Sequence, residues 1–185
     1  MNLSKLPNDL PAPIDDGAAN HLTGLFLPDI QLSATNDELI QLSKLQGIHV
    51  IYIYPMTGQP NVALPDGWDS IPGARGCTPQ SCSFKDHADE FAKLNTKIFG
   101  LSSQSTEYQL EVRSRLHLPF ELLSDATLVL KKSLGLPTFY VGNLELYKRI
   151  TVVVENNRII KTFYPVFPPD KNVDDVIEWL KTSTN

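Results

Sequence analysis

The feature that most constrains this chain is the run Ile48–Tyr54, IHVIYIY, together with the long segment after it. Seven residues that are almost all apolar, β-branched or aromatic read as a buried strand. Pro55 ends the run, and the chain then crosses residues 55–76 with Pro60, Pro65, Pro72, Gly58, Gly67 and Gly73. A structureless segment of that length inside a compact domain is uncommon, and where it occurs it is usually functional or mobile. It ends at Gly76-Cys77-Thr78-Pro79, where Thr suits an N-cap and Pro the first helical position. A strand, a long loop and a helix start are therefore fixed in order, with a cysteine at the junction.

The helix that begins there carries Phe84, Ala88 and Phe91 at i, i+4 and i+7 on one face. Lys97–Leu101 reads as a strand, Ser105–Leu116 as a helix and Ser124–Leu134 as a third helix closed by Gly135. Arg149–Glu155 and Arg158–Tyr164 read as a hairpin turning at Asn156-Asn157, and Asn172–Lys181 as the last helix. Upstream, 25–32 reads as irregular or edge strand and 36–45 as a short helix with Leu39, Ile40 and Leu42 inward. A strand–helix–strand unit implies a parallel crossover, and the closing hairpin implies antiparallel pairing. The expected fold class is α/β, a thioredoxin-like mixed sheet flanked by helices on both faces. Residues 1–22 form an N-terminal lead-in, and 23–185 form one domain with an insertion loop at 56–73.

At 185 residues with 42% hydrophobic and 9% aromatic content, such a domain can bury a full core without disulfides. The 16 basic against 21 acidic residues speak against a broad nucleic-acid surface. No apolar run approaches the ~20 residues of a transmembrane helix, and Met1–Asp16 lacks a secretory h-region. The expected location is cytoplasmic, with no membrane and no nucleic-acid partner. There a structural disulfide is unusual, so Cys77 and Cys82 point to redox or metal chemistry.

Cys77 stands at a helix N-terminus, where first-turn N–H groups and the helix dipole favour an anion, and the thiolate is the nucleophilic form of cysteine. Arg75 either adds positive potential or is a solvated loop charge. Cys82 lies five residues on. Five helical residues rotate roughly 500° and rise about 7.5 Å, leaving the two Cα atoms roughly 8–9 Å apart. A disulfide needs about 4.4–6.8 Å, so bonding Cys77 to Cys82 requires the turn between them to unwind. Two inert buried thiols are the plain alternative. A zinc site is disfavoured because no second Cys/His pair accompanies His87, and C-x₄-C is not the C-x-x-C of thioredoxin-type redox sites. His21, His49, His87 and His117 have no triad or ligand spacing and read as structural or surface. No metal and no cofactor is expected.

The stretch Gly76-Cys77-Thr78-Pro79-Gln80-Ser81-Cys82-Ser83-Phe84-Lys85-Asp86 resembles the peroxiredoxins, of the Q or bacterioferritin-comigratory-protein type. Tyr54-Pro55, Phe99-Gly100-Leu101-Ser102, Leu118-Pro119-Phe120, Leu123-Ser124-Asp125 and Arg149-Ile150-Thr151-Val152 extend the resemblance over most of 23–181. It implies reduction of hydrogen peroxide and organic hydroperoxides without metal or haem. Cys77 would be the peroxidatic thiolate, becoming a sulfenic acid. Cys82 would resolve it to an intramolecular disulfide, which a thioredoxin-like protein reductant opens. Arg149 would stabilise the thiolate and the leaving oxygen.

The family's proline and hydroxyl ahead of the cysteine are interrupted here: Ala74 stands three before Cys77 and Ser70 seven before. Pro55 and Thr57, from before the insertion, are the candidates to supply them, with Thr57 hydrogen-bonding the peroxide and Thr78 or a main-chain donor as substitutes. Pro137 reads as an ordinary turn after Gly135. Two alternatives stay open: a protein thiol–disulfide oxidoreductase, and a non-enzymatic redox sensor or adaptor switched by the Cys77–Cys82 pair. Intramolecular resolution suits a monomer or a homodimer.

Overall fold

A computed structural model describes residues 10–183. Along the chain the elements are β1 (Gln31–Ala34), β2 (Leu39–Gln41), β3 (Ile48–Ile53), α1 (Cys77–Asp86), α2 (Ala88–Lys93), β4 (Thr96–Ser102), α3 (Thr106–Leu116), β5 (Glu121–Ser124), α4 (Val129–Leu134), β6 (Thr138–Val141), β7 (Leu144–Tyr147), β8 (Ile150–Glu155), β9 (Arg158–Phe163) and α5 (Asn172–Ser183). Seven strands form one sheet in the order β2-β1-β5-β4-β3-β8-β9, and β6-β7 form a separate hairpin. β3 pairs parallel with β4, and β4 with β5, while β8 runs antiparallel to β3. This is the thioredoxin-like mixed sheet expected from the order of elements.

The apolar run of β3 is explained by its place in the middle of that sheet. Val50, Tyr52 and Tyr54 point to one face, with Phe84 of α1, Phe91 of α2, Val112 of α3 and Val176 of α5. Ile51 and Ile53 point to the other, with Leu130 and Leu134 of α4 and Leu22, Leu27 and Leu42 of the N-terminal segments. A strand covered on both faces has no polar alternation to show. Asn156 and Asn157 turn the β8–β9 hairpin with φ 46° and 69°, as their side chains tolerate. Ser105 caps α3, its Oγ accepting from Tyr108 N.

Several expectations are corrected. The short helix over 36–45 is instead β2 followed by a 3-10 turn, Leu42–Lys44. Leu39 is 60% exposed rather than inward, because β1 pairing (Leu32↔Ile40) dictates the backbone. The third helix starts at Val129, not Ser124; residues 121–124 form β5, and Asp125 caps α4 through Val129 N and Leu130 N. The helix after the long loop begins at Cys77, with Gly76 rather than Thr78 at the N-cap, and it breaks at His87 into α1 and α2. Residues 1–9 of the expected lead-in lie outside the described residues, as do 184–185. Ala19 and Leu22, at its end, are buried in the core with Leu27.

Within 56–73, Trp68 is 3% exposed and packs with Met56, Leu64, Ile71, Phe139, Val141 and Leu146. The segment thereby carries a small core of its own against the β6–β7 hairpin.

Candidate active site

The site forms where β3 ends and β8 begins. Ile53 pairs with Ile150, so Arg149, one residue before β8, emerges at the end of the sheet where the chain leaves β3 for the long loop. The loop returns to start α1 on the same end. Gly76 holds φ 107°, a left-handed conformation that L side chains rarely adopt, and the first helical hydrogen bond runs from Gln80 N to Gly76 O at 3.0 Å. α1 is then pinned from below: Tyr52 on β3 donates from its hydroxyl to Ser81 Oγ at 3.1 Å. Gly100 on β4 makes room for that phenol, since a Cβ there would lie 2.7 Å from the Tyr52 oxygen and 2.5 Å from Leu122 Cδ2. Burial keeps the Tyr52 phenol protonated, well above the ordinary tyrosine range.

Cys77 is 3% exposed and Arg149 4%. Arg149 Nη2 donates to Cys77 Sγ at 3.1 Å, and also reaches the carbonyls of Gly73 (3.3 Å), Ala74 (3.1 Å) and Arg75 (3.2 Å). Nη1 donates to Gln80 Oε1 at 2.5 Å. Gln80 Nε2 donates to Asn172 Oδ1 at 3.1 Å, which also accepts from Thr151 Oγ1 at 2.6 Å. Among the described residues, no carboxylate forms an ion pair with Arg149. A buried guanidinium costs several kcal/mol unless compensated. Here three carbonyl dipoles, an amide oxygen and sulfur supply the compensation.

Above Cys77 lies a cleft of about 20 Å³, walled by Met56, Leu64 and Trp68 of the insertion and by Arg75, Gly76 and Thr78. Arg75 is 9% exposed and its Nη1 pairs with Asp69 Oδ1 at 2.7 Å, so it is a fixed wall of the cleft rather than a solvated charge. Cys82, half-buried on the same helix, has its thiol pKa pushed up by burial. Both cysteines are free thiols.

The structure thus brings Cys77 and Arg149 into direct contact and places Cys82 on the helix that Cys77 begins. It does not bring Thr57 or Pro55 to the cleft wall, although Met56 and Gly58 on either side of Thr57 line it. The Thr57 hydroxyl donates to Gln104 Oε1 at 3.1 Å, and the Thr57 carbonyl accepts from Tyr108 OH at 2.9 Å. The Pro55 carbonyl accepts from Ser102 Oγ at 3.1 Å. Both residues anchor the start of the loop to the β4–α3 connection. Sequence reasoning missed Gln80, Asn172, Trp68 and Asp69. A glutamine in the first turn of a helix that must pack on a core is the one signal that pointed to Gln80. The histidines have structural partners: His21 meets Leu134 O, His87 Nδ1 meets Ser83 O, His49 stacks on Phe99, and His117 is the left-handed C-cap of α3. Among the described residues, no group of three or more His, Cys, Asp or Glu could hold a metal ion, and no helix is long and apolar enough to cross a membrane.

Comparison with known proteins places this geometry in a family. The Redoxin family profile matches residues 23–177. Peroxiredoxin Q, chloroplastic, of Sedum lineare is 29% identical over 157 residues, which cover 84% of this chain and 75% of that protein. The Arabidopsis thaliana peroxiredoxin Q, also chloroplastic, is 29% identical over 162 residues, 86% of this chain and 67% of that one. Among solved structures, Peroxidoxin BcpB from Mycobacterium tuberculosis superposes with a TM-score of 0.71 at 24% identity, covering 87% of this chain and 97% of that chain. The bacterioferritin comigratory protein of Xanthomonas campestris, in a study of its alkyl peroxide reduction activity, gives 0.66 at 21% identity over 96% and 99%. The chain belongs to the Redoxin family, and within it resembles the peroxiredoxins of the Q type.

Proposed function

We propose that this chain is a thiol-dependent peroxidase of the peroxiredoxin type, with Cys77 as nucleophile, Arg149 as its electrostatic partner and Cys82 as resolving thiol. The observation that carries the reading is the buried Arg149 Nη2 at 3.1 Å from Cys77 Sγ. When Cys77 ionises, its thiolate supplies the counter-charge that the guanidinium otherwise lacks. The thiolate attacks one peroxide oxygen, the O–O bond breaks, and the departing alkoxide or hydroxide takes a proton. Cys77 becomes a sulfenic acid. Arg149 donors face the sulfur throughout and offset charge as it passes to the leaving oxygen. The Cys82 thiol then attacks the sulfenic sulfur, expelling water and forming a disulfide. A thioredoxin-like dithiol reduces that disulfide by exchange and leaves oxidised.

The cleft as it stands admits a molecule about the size of one water. Hydrogen peroxide fits with little adjustment, whereas a bulky organic hydroperoxide requires the 56–73 segment to shift. Pro55 and Thr57 act in this reading by holding that segment in place. The reaction belongs in a reducing compartment, which we take as the cytoplasm, because a thioredoxin-like donor must return the Cys77–Cys82 pair to thiols after each turnover. Burial of Cys77 disfavours a protein thiol–disulfide oxidoreductase, whose thiol must meet another protein's disulfide. Peroxide consumption with a thioredoxin and thioredoxin reductase pair tests the reading. The chain turns over peroxide and Cys77→Ser does not; equal consumption by both sinks it.

A further inference from the structure

Two apolar residues of the insertion, Trp68 and Leu64, narrow the cleft over Cys77, and they are held differently. Trp68 is buried and fixed from two sides. Behind it stands the β6–β7 hairpin: the indole meets the Phe139 ring at 6.2 Å between centroids, tilted by 42°, and packs with Val141 and Leu146. That hairpin lies outside the main sheet, and a two-stranded hairpin alone is marginal in water, so Trp68 and the hairpin support one another. In front, Asp69, the next residue of the 3-10 turn Trp68–Ser70, accepts from Arg75 Nη1 at 2.7 Å. Arg75 stands two residues before Cys77, and its carbonyl accepts from Arg149 Nη2 at 3.2 Å. The Trp68 wall is thereby tied to the backbone that carries the sulfur and its guanidinium. Swinging Trp68 aside would leave a void under the hairpin, which a close-packed interior resists. Leu64 is only half-buried and follows three exposed residues, 61–63. One wall of the cleft is therefore rigid and the other can be altered at less cost to the fold.

We propose that Trp68 and Leu64 are specificity-determining residues that select the peroxide by size, admitting hydrogen peroxide and turning away hydroperoxides borne on a tertiary carbon. The proposal rests on the peroxidase reading and adds which side chains set its substrate limit. The sulfur attacks the terminal oxygen in line with the O–O bond, so the leaving oxygen and whatever it carries lie further out in the cleft. In hydrogen peroxide that oxygen carries one hydrogen. In cumene hydroperoxide it carries a carbon with two methyls and a phenyl ring, which a space of about 20 Å³ between fixed walls does not hold.

The test is the ratio of two second-order rates of Cys77 oxidation, measured by stopped flow on the reduced full-length chain with hydrogen peroxide and with cumene hydroperoxide. The native chain should favour hydrogen peroxide by about 100-fold or more. Leu64→Ala, which widens the cleft without touching the hairpin core, should lower that ratio by about tenfold through a faster reaction with cumene hydroperoxide. Leu64→Met, which keeps the volume, should hold the ratio within about threefold of native. Trp68→Leu should lower it further than Leu64→Ala, and if Trp68→Leu does not fold, Leu64→Ala decides the matter alone. Equal rates with both peroxides in the native chain, or a ratio unmoved in Leu64→Ala, overturns the size selection and leaves the peroxidase reading standing. A Cys77 that reacts with hydrogen peroxide no faster than free cysteine overturns the peroxidase reading, and the selection with it.

Discussion

The two cysteines of α1 stand five residues apart in opposite surroundings. Cys77 opens the helix with its first turn sunk into the protein: residues 77–81 are all buried, Ser81 is tied to β3 by Tyr52, and Gln80 is tied to α5 through Asn172. Cys82 begins the part of α1 that rises toward solvent, where Ser83, Lys85 and Asp86 are at least partly exposed. The difference separates two requirements. In the proposed reaction the attacking sulfur needs a fixed guanidinium and a closed cleft, whereas the resolving sulfur needs freedom to leave its turn, because the helix holds the pair beyond disulfide reach. One helix meets both by being anchored at its start and peripheral beyond.

Removing the peripheral thiol should have the largest effect on turnover. Cys82→Ser leaves the first oxidation of Cys77 intact, traps the sulfenic acid, and blocks cycling with a thioredoxin-like donor. A dimedone adduct by mass spectrometry reads the trapped state, and full turnover by the variant breaks the division of labour. Removing the anchor's charge comes next. Arg149→Met should slow Cys77 oxidation by about 10²–10³-fold, the usual loss on deleting one preorganised donor. Stopped-flow measurement reads it, and an unchanged rate removes Arg149 from the chemistry.

Smaller effects sharpen the comparison. Gly76→Ala forces an L side chain into φ 107° and should cost about 1–2 kcal/mol, read as a lower denaturant midpoint. Alkaline pH acts on the other cysteine. Burial raises the Cys82 pKa in the fold, so its stabilising contribution is complete below the unfolded thiol value of about 8.5. Above that value the unwound turn ionises first, and the contribution is lost as pH rises toward the folded pKa. Amide protection across residues 77–86 should therefore fall more steeply with alkaline pH in the native chain than in Cys82→Ser. Thr57→Val should have the smallest effect, loss of one hydrogen bond to Gln104 at about 1 kcal/mol, with peroxidase kcat/KM nearly unchanged. A large kcat/KM loss would return Thr57 to the peroxide.

What could be read from sequence tracks the range of the forces involved. β3, the Asn156-Asn157 hairpin and α5 declare themselves locally, through an apolar run, a positive-φ turn and an i, i+3, i+4, i+7 face. β2 has three residues and exists because Leu32 and Ile40 pair, so Leu39, Ile40 and the following Leu42 read locally as a helix. β5 likewise depends on its neighbours β4 and β1. The β6–β7 hairpin carries a local signal that the helix and strand patterns around it obscure: TFYV and LELY flank Gly142-Asn143, a two-residue turn. In the site, Cys77 stands out by its place before a helix, and Arg149 by family resemblance. Gln80 and Asn172 are distant in sequence and meet only once α5 packs on α1. The turn of Thr57 toward Gln104 depends on the path of the insertion, which no local pattern encodes.

The central claim is that the pairing of Cys77 with Arg149 makes this sulfur a peroxide nucleophile. Mixing the reduced chain with one equivalent of hydrogen peroxide, and tracking each cysteine by rapid quench and peptide mass spectrometry, tests it directly. The account predicts that Cys77 oxidises first and orders of magnitude faster than free cysteine, with the Cys77–Cys82 disulfide appearing afterwards. Oxidation of Cys77 no faster than free cysteine, or oxidation of Cys82 first, would contradict it.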